Sequence, residues 1–266
     1  MGITDKEKKM ERKSFVNCDK PLVTAMIKRT GSPERCIDEI NRSIEAGAEA
    51  FGFQCDNLPR KFHNESDLRR IFASMQDKPI YATNYKLNHN AEISYDELAD
   101  ELLMLCDYGA TILDITGDMF CKSDDELTFD AEAMRKQSAL IEQIHKKGCE
   151  VLMSSHVNKF TPAERVLEIA LEHQRRGADV SKIVVHSNTM EEQMENMRII
   201  TLLKEKLDIK FLFLTGGKCC MMHRRLGILL GNCASLCMLE VPEGVTDAIQ
   251  PLIKEQLMFR DQLNLI

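Results

Sequence analysis

Short runs rich in β-branched and aromatic residues recur eight times along this chain, at 22–27, 50–54, 80–83, 111–115, 150–155, 182–186, 210–214 and 234–239. Longer stretches with helical spacing of apolar residues separate them, among them 33–49, 95–106, 131–147, 161–176 and 190–206. Start signals stand at Ser32-Pro33-Glu34, at Ser94 ahead of Asp96 and Glu97, and at Thr161-Pro162-Ala163-Glu164. Four helical stretches end on a glycine step, Gly47-Ala48, Gly109-Ala110, Gly148-Cys149 and Gly177-Ala178, just before the next strand. Strict strand–helix alternation demands parallel strands, because each parallel neighbour needs a crossover, and helices that cover the sheet. Eight such units predict an α/β fold: a single (β/α)8 TIM barrel over residues 21–266, preceded by a short charged arm over 1–20. No GxGxxG follows the first strand, so a dinucleotide-binding fold loses its main cue. No linker or low-complexity segment divides the chain.

Charge and cysteine usage narrow the function classes. A net charge of −7 and a pI near 5.6 argue against a nucleic-acid footprint. The polar start and the lack of an 18-residue apolar run predict neither a signal peptide nor a membrane span, hence a cytoplasmic protein. Ten cysteines without framework spacing read as reduced thiols, mostly in the core. The cluster Cys219-Cys220-Met221-Met222-His223 lacks the usual two-to-four-residue ligand spacing, so no metal site is expected there.

In such barrels chemistry sits at the C-terminal ends of the strands. The fifth strand finishes Ser154-Ser155-His156, and alternation puts Leu152, Ser154 and His156 on one face. His156 is then either a solvated loop residue or a crown on the barrel mouth. Lys182 heads its run. Read alone it is a lysine at the bottom rim, unless Lys182, Val184 and His186 face inward. An enclosed amine would be desolvated toward its neutral form, which attack on a ketone requires. The loop after the seventh strand, Thr215-Gly216-Gly217-Lys218, with Arg224 and Arg225 beyond it, is either a connecting turn or an anion cradle.

These residues resemble the type I 3-dehydroquinate dehydratases. The stretch VLMSSHVNKFTPAERVLEIALEHQRRGADVSKIVVHSNT, residues 151–189, resembles the family's fifth strand, helix and sixth strand. Residues 214–236 resemble its Lys-Thr-Gly and Ser-Arg-Leu-Ala-Gly segment, with weaker likeness at 46–56 and 78–84. The resemblance implies that Lys182 forms the imine, that His156 is the general acid and base, and that Arg224 grips a substrate carboxylate. Departures are clear. Gly52 and Gln54 stand where the family has a glutamate and a substrate-binding arginine, while Asp56 remains. Asn84-Tyr85-Lys86-Leu87-Asn88-His89 replaces a segment that carries another arginine and the carboxylate orienting the histidine. Val241-Pro242-Glu243-Gly244-Val245 replaces a polar lid. Planar guanidinium contacts are not exchanged conservatively.

The expectation is therefore a Schiff-base lyase that eliminates water from a cyclic or linear keto or hydroxy carboxylic acid through an altered pocket. Its catalytic residues would be Lys182 and His156, with Arg224, Gln54, Tyr85, Lys86, His89 and Lys218 in contact with substrate. The partner would be a small carboxylate, with no nucleic acid, membrane, metal or organic cofactor involved. Two alternatives stand: a class I aldolase holding a phosphate on the 215–218 loop, and a metabolite-binding barrel without catalysis, favoured by the missing histidine-orienting carboxylate. The loop acids Asp124, Asp125 and Glu126 read as solvated, whereas Asp114, Thr116 and Asp118 could replace that carboxylate. The final helical stretch, 245–263, reads as barrel packing or as the face of a homodimer.

Overall fold

A computed structural model describes residues 13–241 and 249–263. Strands and helices alternate throughout: β1 (Leu22–Met26), α1 (Pro33–Glu45), β2 (Ala50–Gln54), α2 (Glu65–Ser74), β3 (Ile80–Thr83), α3 (Tyr95–Tyr108), β4 (Ile112–Thr116) and α4 (Ala131–Lys146) come first. The second half continues with β5 (Glu150–His156), α5 (Ala163–Arg175), β6 (Val180–His186), α6 (Met190–Lys206), β7 (Lys210–Gly216), α7 (Met221–Leu230), β8 (Ala234–Cys237) and α8 (Ile253–Leu263). All strand pairs are parallel, in the order β7-β6-β5-β4-β3-β2-β1-β8. The expected eight-unit barrel is the observed fold.

The seam between β7 and β8 closes differently from the other pairs. Cys233 N donates to Phe211 O at 2.9 Å, and the Asn232 side chain stands in for a strand residue, accepting from Phe213 N and donating to Phe213 O at 2.8 Å each. A Cβ on Gly227 would lie 2.5 Å from Asn232 Nδ2, so only glycine lets α7 approach this closely.

Inside the barrel, Leu22, Met26, Ala50, Tyr81, Ile112, Leu152, Val180 and Leu212 form one apolar cluster. Phe15 closes its floor at 1% exposure, and the Ser14 hydroxyl and the Phe15 amide both donate to the Glu150 carboxylate. Part of the arm expected over 1–20 is thus docked, while residues 1–12 lie outside the described residues.

Several boundaries shift, for local reasons. β6 starts two residues earlier than expected, which moves Lys182 from a rim to the middle of a strand. Ser32, Ser94 and Thr189 cap their helices with side-chain oxygens, but Thr161 does not; its hydroxyl donates to Lys159 O. The last helix begins at Ile253: residues 249–252 are not helical, and Leu252, after Pro251, pairs with Met238 as an isolated bridge, while position 245, the expected start, lies outside the described residues. The expected lid residues 242–245 lie outside the described residues. Ile253 and Leu257 pack on the barrel's outer core, so that side of α8 is not a free dimer face.

Candidate active site

Alternation along β6 points Val180, Lys182 and Val184 into the barrel, while Ile183 and Val185 pack outward against helices. The inward orientation is therefore the one the structure adopts. Lys182 is 5% exposed, and its Nζ donates to Tyr81 Oη at 2.9 Å, Tyr85 Oη at 3.0 Å and Asp114 Oδ2 at 3.1 Å. Tyr81 rises from β3, Tyr85 from the loop after it, and Asp114 from the inward face of β4. Both phenols donate to Asp114 Oδ2 at 2.5 Å, and Ser154 Oγ donates to Oδ1 at 2.5 Å. Burial alone would push the Asp114 carboxyl up. The Lys182 charge and the three hydroxyls outweigh it and hold Asp114 below the usual carboxylate range. Burial first, and then the Asp114 charge, push both phenols well above the ordinary tyrosine value, so they remain donors. Desolvation of a solitary amine does not describe Lys182: it has a buried counter-ion.

His156 ends β5 on the same face as Ser154, and Ser154 is in register with Lys182. Glu126 Oε2 accepts from His156 Nδ1 at 2.7 Å and from the His156 amide at 2.9 Å. That pairing fixes the Nδ1–H tautomer, and Nε2 has no hydrogen bond among the described residues. The edge of the His156–Tyr85 contact is T-shaped, with centroids 5.7 Å apart.

Glu126 was read from sequence as solvated, yet it supplies the carboxylate that orients the histidine. It does so from a left-handed backbone, φ 47°, which a non-glycine residue keeps only when its surroundings impose it. They do. Ser155 Oγ donates to Glu126 O at 2.9 Å, and His173, buried behind the sheet, bridges Ser155 and Ser181 at 3.1 and 3.0 Å. The Arg176 guanidinium reaches both ends of the loop, donating to Gly117 O and Thr128 O, and also to Gln137 Oε1. A Cβ on Gly117 would stand 2.5 Å from Glu126 O, so the loop can fold back here only over glycine.

A cavity of about 440 Å³ opens over the ends of β2 to β5. Gln54, Tyr85, Lys86, Asp114, Glu126 and His156 all line it, and Asp56 and Asp118 add two acids that burial pushes above the ordinary range. Lys86 caps Ile93 O at 2.5 Å and lies over the Tyr95 ring. Other residues expected at the site stand apart from this cavity. His89 is exposed in the short turn Asn88–Asn90, and Lys218 is exposed beside Asn188. Arg224 is buried behind β7, where its Nε donates to Thr215 O at 2.6 Å and burial drives the guanidinium down to about 10. No carboxylate pairs with it among the described residues. His223, weighed in the sequence as a metal ligand, donates through Nε2 to Phe213 O at 2.8 Å.

Reasoning from sequence passed over Tyr81, Ser154 and Glu126. A signal existed for two of them: Tyr81 and Ser154 have inward parity on their strands. Glu126 had none, because its placement depends on a loop conformation.

The sequence profile described as type I 3-dehydroquinase matches residues 29–255. Among solved structures, 3-dehydroquinate dehydratase from Geobacillus kaustophilus superposes with a TM-score of 0.77 at 13% identity, covering 93% of each chain. The Clostridium difficile type I enzyme gives 0.76 at 17% identity over 93% of this chain and 94% of that one, and the Aquifex aeolicus enzyme gives 0.66 at 16% over 92% and 100%. Curated protein sequences give no significant match. With its profile match running from the loop after β1 into α8, the chain belongs to the type I 3-dehydroquinase family, carbon–oxygen lyases that act through a Schiff base, as a divergent member.

Proposed function

We propose that Lys182 forms an imine with a keto or hydroxy carboxylic acid and that His156, oriented by Glu126, moves the protons of water elimination. One observation carries this reading: a lysine buried at mid-strand, with a counter-ion and two phenols, opens toward a histidine whose tautomer a carboxylate has fixed. A protonated imine withdraws electrons from the neighbouring carbon. His156 Nε2 can then take the α-proton and return a proton to the departing hydroxyl. The imine nitrogen is itself the electron sink, so the mechanism calls for no metal or organic cofactor. Arg224, which has no carboxylate partner among the described residues, would receive the substrate carboxylate on the β7 side of the barrel, beyond the cavity described above. Gln54, Tyr85 and Lys86 would contact the rest of the substrate, and His89 and Lys218 would have to approach from the exposed rim.

A cytoplasmic location fits ten cysteines that form no disulfide, seven of them buried. A homodimer would have to use a surface other than the Ile253–Leu257 side of α8.

The test is site-resolved mass spectrometry after borohydride treatment with 3-dehydroquinate, with enone absorbance followed in parallel. A reduced adduct on Lys182 together with enone is the expected result, and both should vanish in Lys182→Met. Adduct without enone would move the substrate to another carbonyl acid. Retro-aldol cleavage of sugar phosphates with no response to dehydroquinate would favour the aldolase alternative. No adduct with any carbonyl probe would favour a barrel that only binds.

A further inference from the structure

Imine formation needs several proton transfers at the lysine nitrogen, and the residues around Lys182 divide unequally between the lysine and the cavity. Lys182 Nζ donates to Tyr81 and Tyr85 at nearly equal distances, 2.9 and 3.0 Å. Of these two phenols only Tyr85 lines the cavity. Its hydroxyl therefore lies between the amine and the space a carbonyl would occupy. His156 is placed differently: its Nδ1 is taken by Glu126, its ring meets Tyr85 edge-on, and no hydrogen bond joins it to Lys182 among the described residues.

We propose that Tyr85 is the proton shuttle of imine formation and Asp114 the standing counter-ion of the lysine nitrogen, leaving His156 and Glu126 to the chemistry at carbon. The proposal rests on the imine reading given above.

The steps balance without an outside acid or base. The ammonium of Lys182 passes a proton to Tyr85 Oη, whose own proton goes to the substrate carbonyl oxygen as the amine attacks. The product is a carbinolamine with a protonated nitrogen. A second transfer along the same path moves a nitrogen proton to the carbinolamine hydroxyl, the C–O bond breaks, and water leaves. The iminium that remains carries the single positive charge the ammonium began with. Asp114 faces that charge throughout and is not itself protonated, in keeping with the hydroxyls that hold its carboxyl low. Redirecting the Tyr85 proton needs only rotation about its C–O bond. Asp114 keeps the bonds from Tyr81 and Ser154 while Tyr85 is turned away.

The experiment measures the rate of adduct formation at Lys182 under cyanoborohydride, by peptide mass spectrometry, with two probes: 3-dehydroquinate and glycolaldehyde. Tyr85→Phe keeps the ring and should slow trapping about 10²-fold, the usual worth of a positioned proton donor. Tyr81→Phe removes an equivalent bond to Asp114 and Lys182 but nothing that faces the cavity. It should cost at least about tenfold less than Tyr85→Phe, since a general acid acts only within reach of the reacting oxygen. His156→Ala should trap near the parental rate while forming no enone. Asp114→Asn, provided its thermal melt stays close to the parent's, should trap far less iminium.

Equal slowing by the two phenylalanine variants would overturn the shuttle, because a merely structural network responds to both. Normal trapping by Tyr85→Phe, or loss of trapping in His156→Ala, would overturn it as well. Normal trapping by a folded Asp114→Asn protein would remove the counter-ion. A parent protein that traps glycolaldehyde at Lys182 but not dehydroquinate would sink the proposed substrate while leaving the shuttle measurable with the aldehyde. A parent that traps neither would sink the imine reading and the shuttle together.

Discussion

Glu126 and His156 are joined by two bonds to a single carboxylate oxygen, one from the ring and one from the backbone amide. The backbone bond matters because it fixes the carboxylate before any substrate arrives, so the ring is held in one tautomer and one orientation. Glu126→Gln keeps the shape and an accepting oxygen but removes the charge that stabilises an imidazolium in the transition state. The expected outcome is a drop in kcat of roughly 10²-fold with KM little changed, the pattern of an interaction made only at the transition state. Steady-state kinetics on whichever substrate forms the Lys182 adduct decides it; a change confined to KM would contradict the assignment. At this scale the sequence was only half legible. Lys182 and His156 could be singled out from strand parity and family likeness, but their partners could not, because Asp114 is 68 positions from Lys182 and Glu126 is 30 positions from His156.

The loop between β4 and α4 is the element that turns these residues into a site. Its two ends are tied by Thr128 N to Gly117 O, its carbonyls by Arg176 and Gln137, and its left-handed Glu126 by Ser155. Arg176 is the hub, buried at 8% exposure and paired with Glu172 at 2.7 Å. Arg176→Met would leave Thr128 O without its donor, Gly117 O with only Gln137 and the Thr128 amide, and Glu172 with only Arg175. A cost of about 3 kcal/mol is expected, in the range for breaking one side of a buried charged network. Urea denaturation measures it, and amide exchange should show the greatest loss of protection over residues 117–128. Unchanged protection in that loop would mean that Gln137 alone suffices. The helix carrying Arg176 was visible from its spacing, and the loop was visible only as a polar gap. Apolar periodicity reports which face of an element is buried and says nothing about a segment held by carbonyl contacts.

For the whole molecule, two buried histidines set the response to acid. Burial lowers His173 to about 3 and His223 to about 4, each from an ordinary 6.5. Both are depressed in the folded state, so below pH 6.5 the unfolded chain binds more protons and stability falls as pH drops toward those values. By pH 5 each histidine contributes a loss of roughly 2 kcal/mol, a large share of the ~5–15 kcal/mol that holds a domain folded. Glu49, held near 2 by Arg260, and Glu101, held near 2 by His63 and Arg60, both against the pull of burial, add their own losses only below about pH 4.5. Chemical denaturation at pH 7, 6 and 5 should therefore show a steady decline before Glu49 and Glu101 begin to contribute. A flat profile between pH 7 and 5 would show that both imidazoles charge inside the fold, and a decline of half the expected size that one of them does.

The eightfold alternation, the glycine steps at helix ends and the shared face of Leu152, Ser154 and His156 were all determined by the sequence alone, whereas the inward orientation of Lys182 was not. These are local properties: the 3.6- and 2-residue periods and the turn residues act over a few positions, and parallel strands then follow from short connections. The boundary of β6, the docking of Phe15 under the barrel, the cage of Tyr81, Tyr85 and Asp114 around Lys182, and the rescue of His156 by Glu126 were decided by tertiary structure. Each of these joins residues from different strands or loops, so it depends on barrel register and on one strained loop residue. The same reasoning explains the altered pocket: the arginines missing from β2 and β3 are seen in the sequence, but the groups standing in their place are chosen by which side chains the closed barrel brings to its mouth.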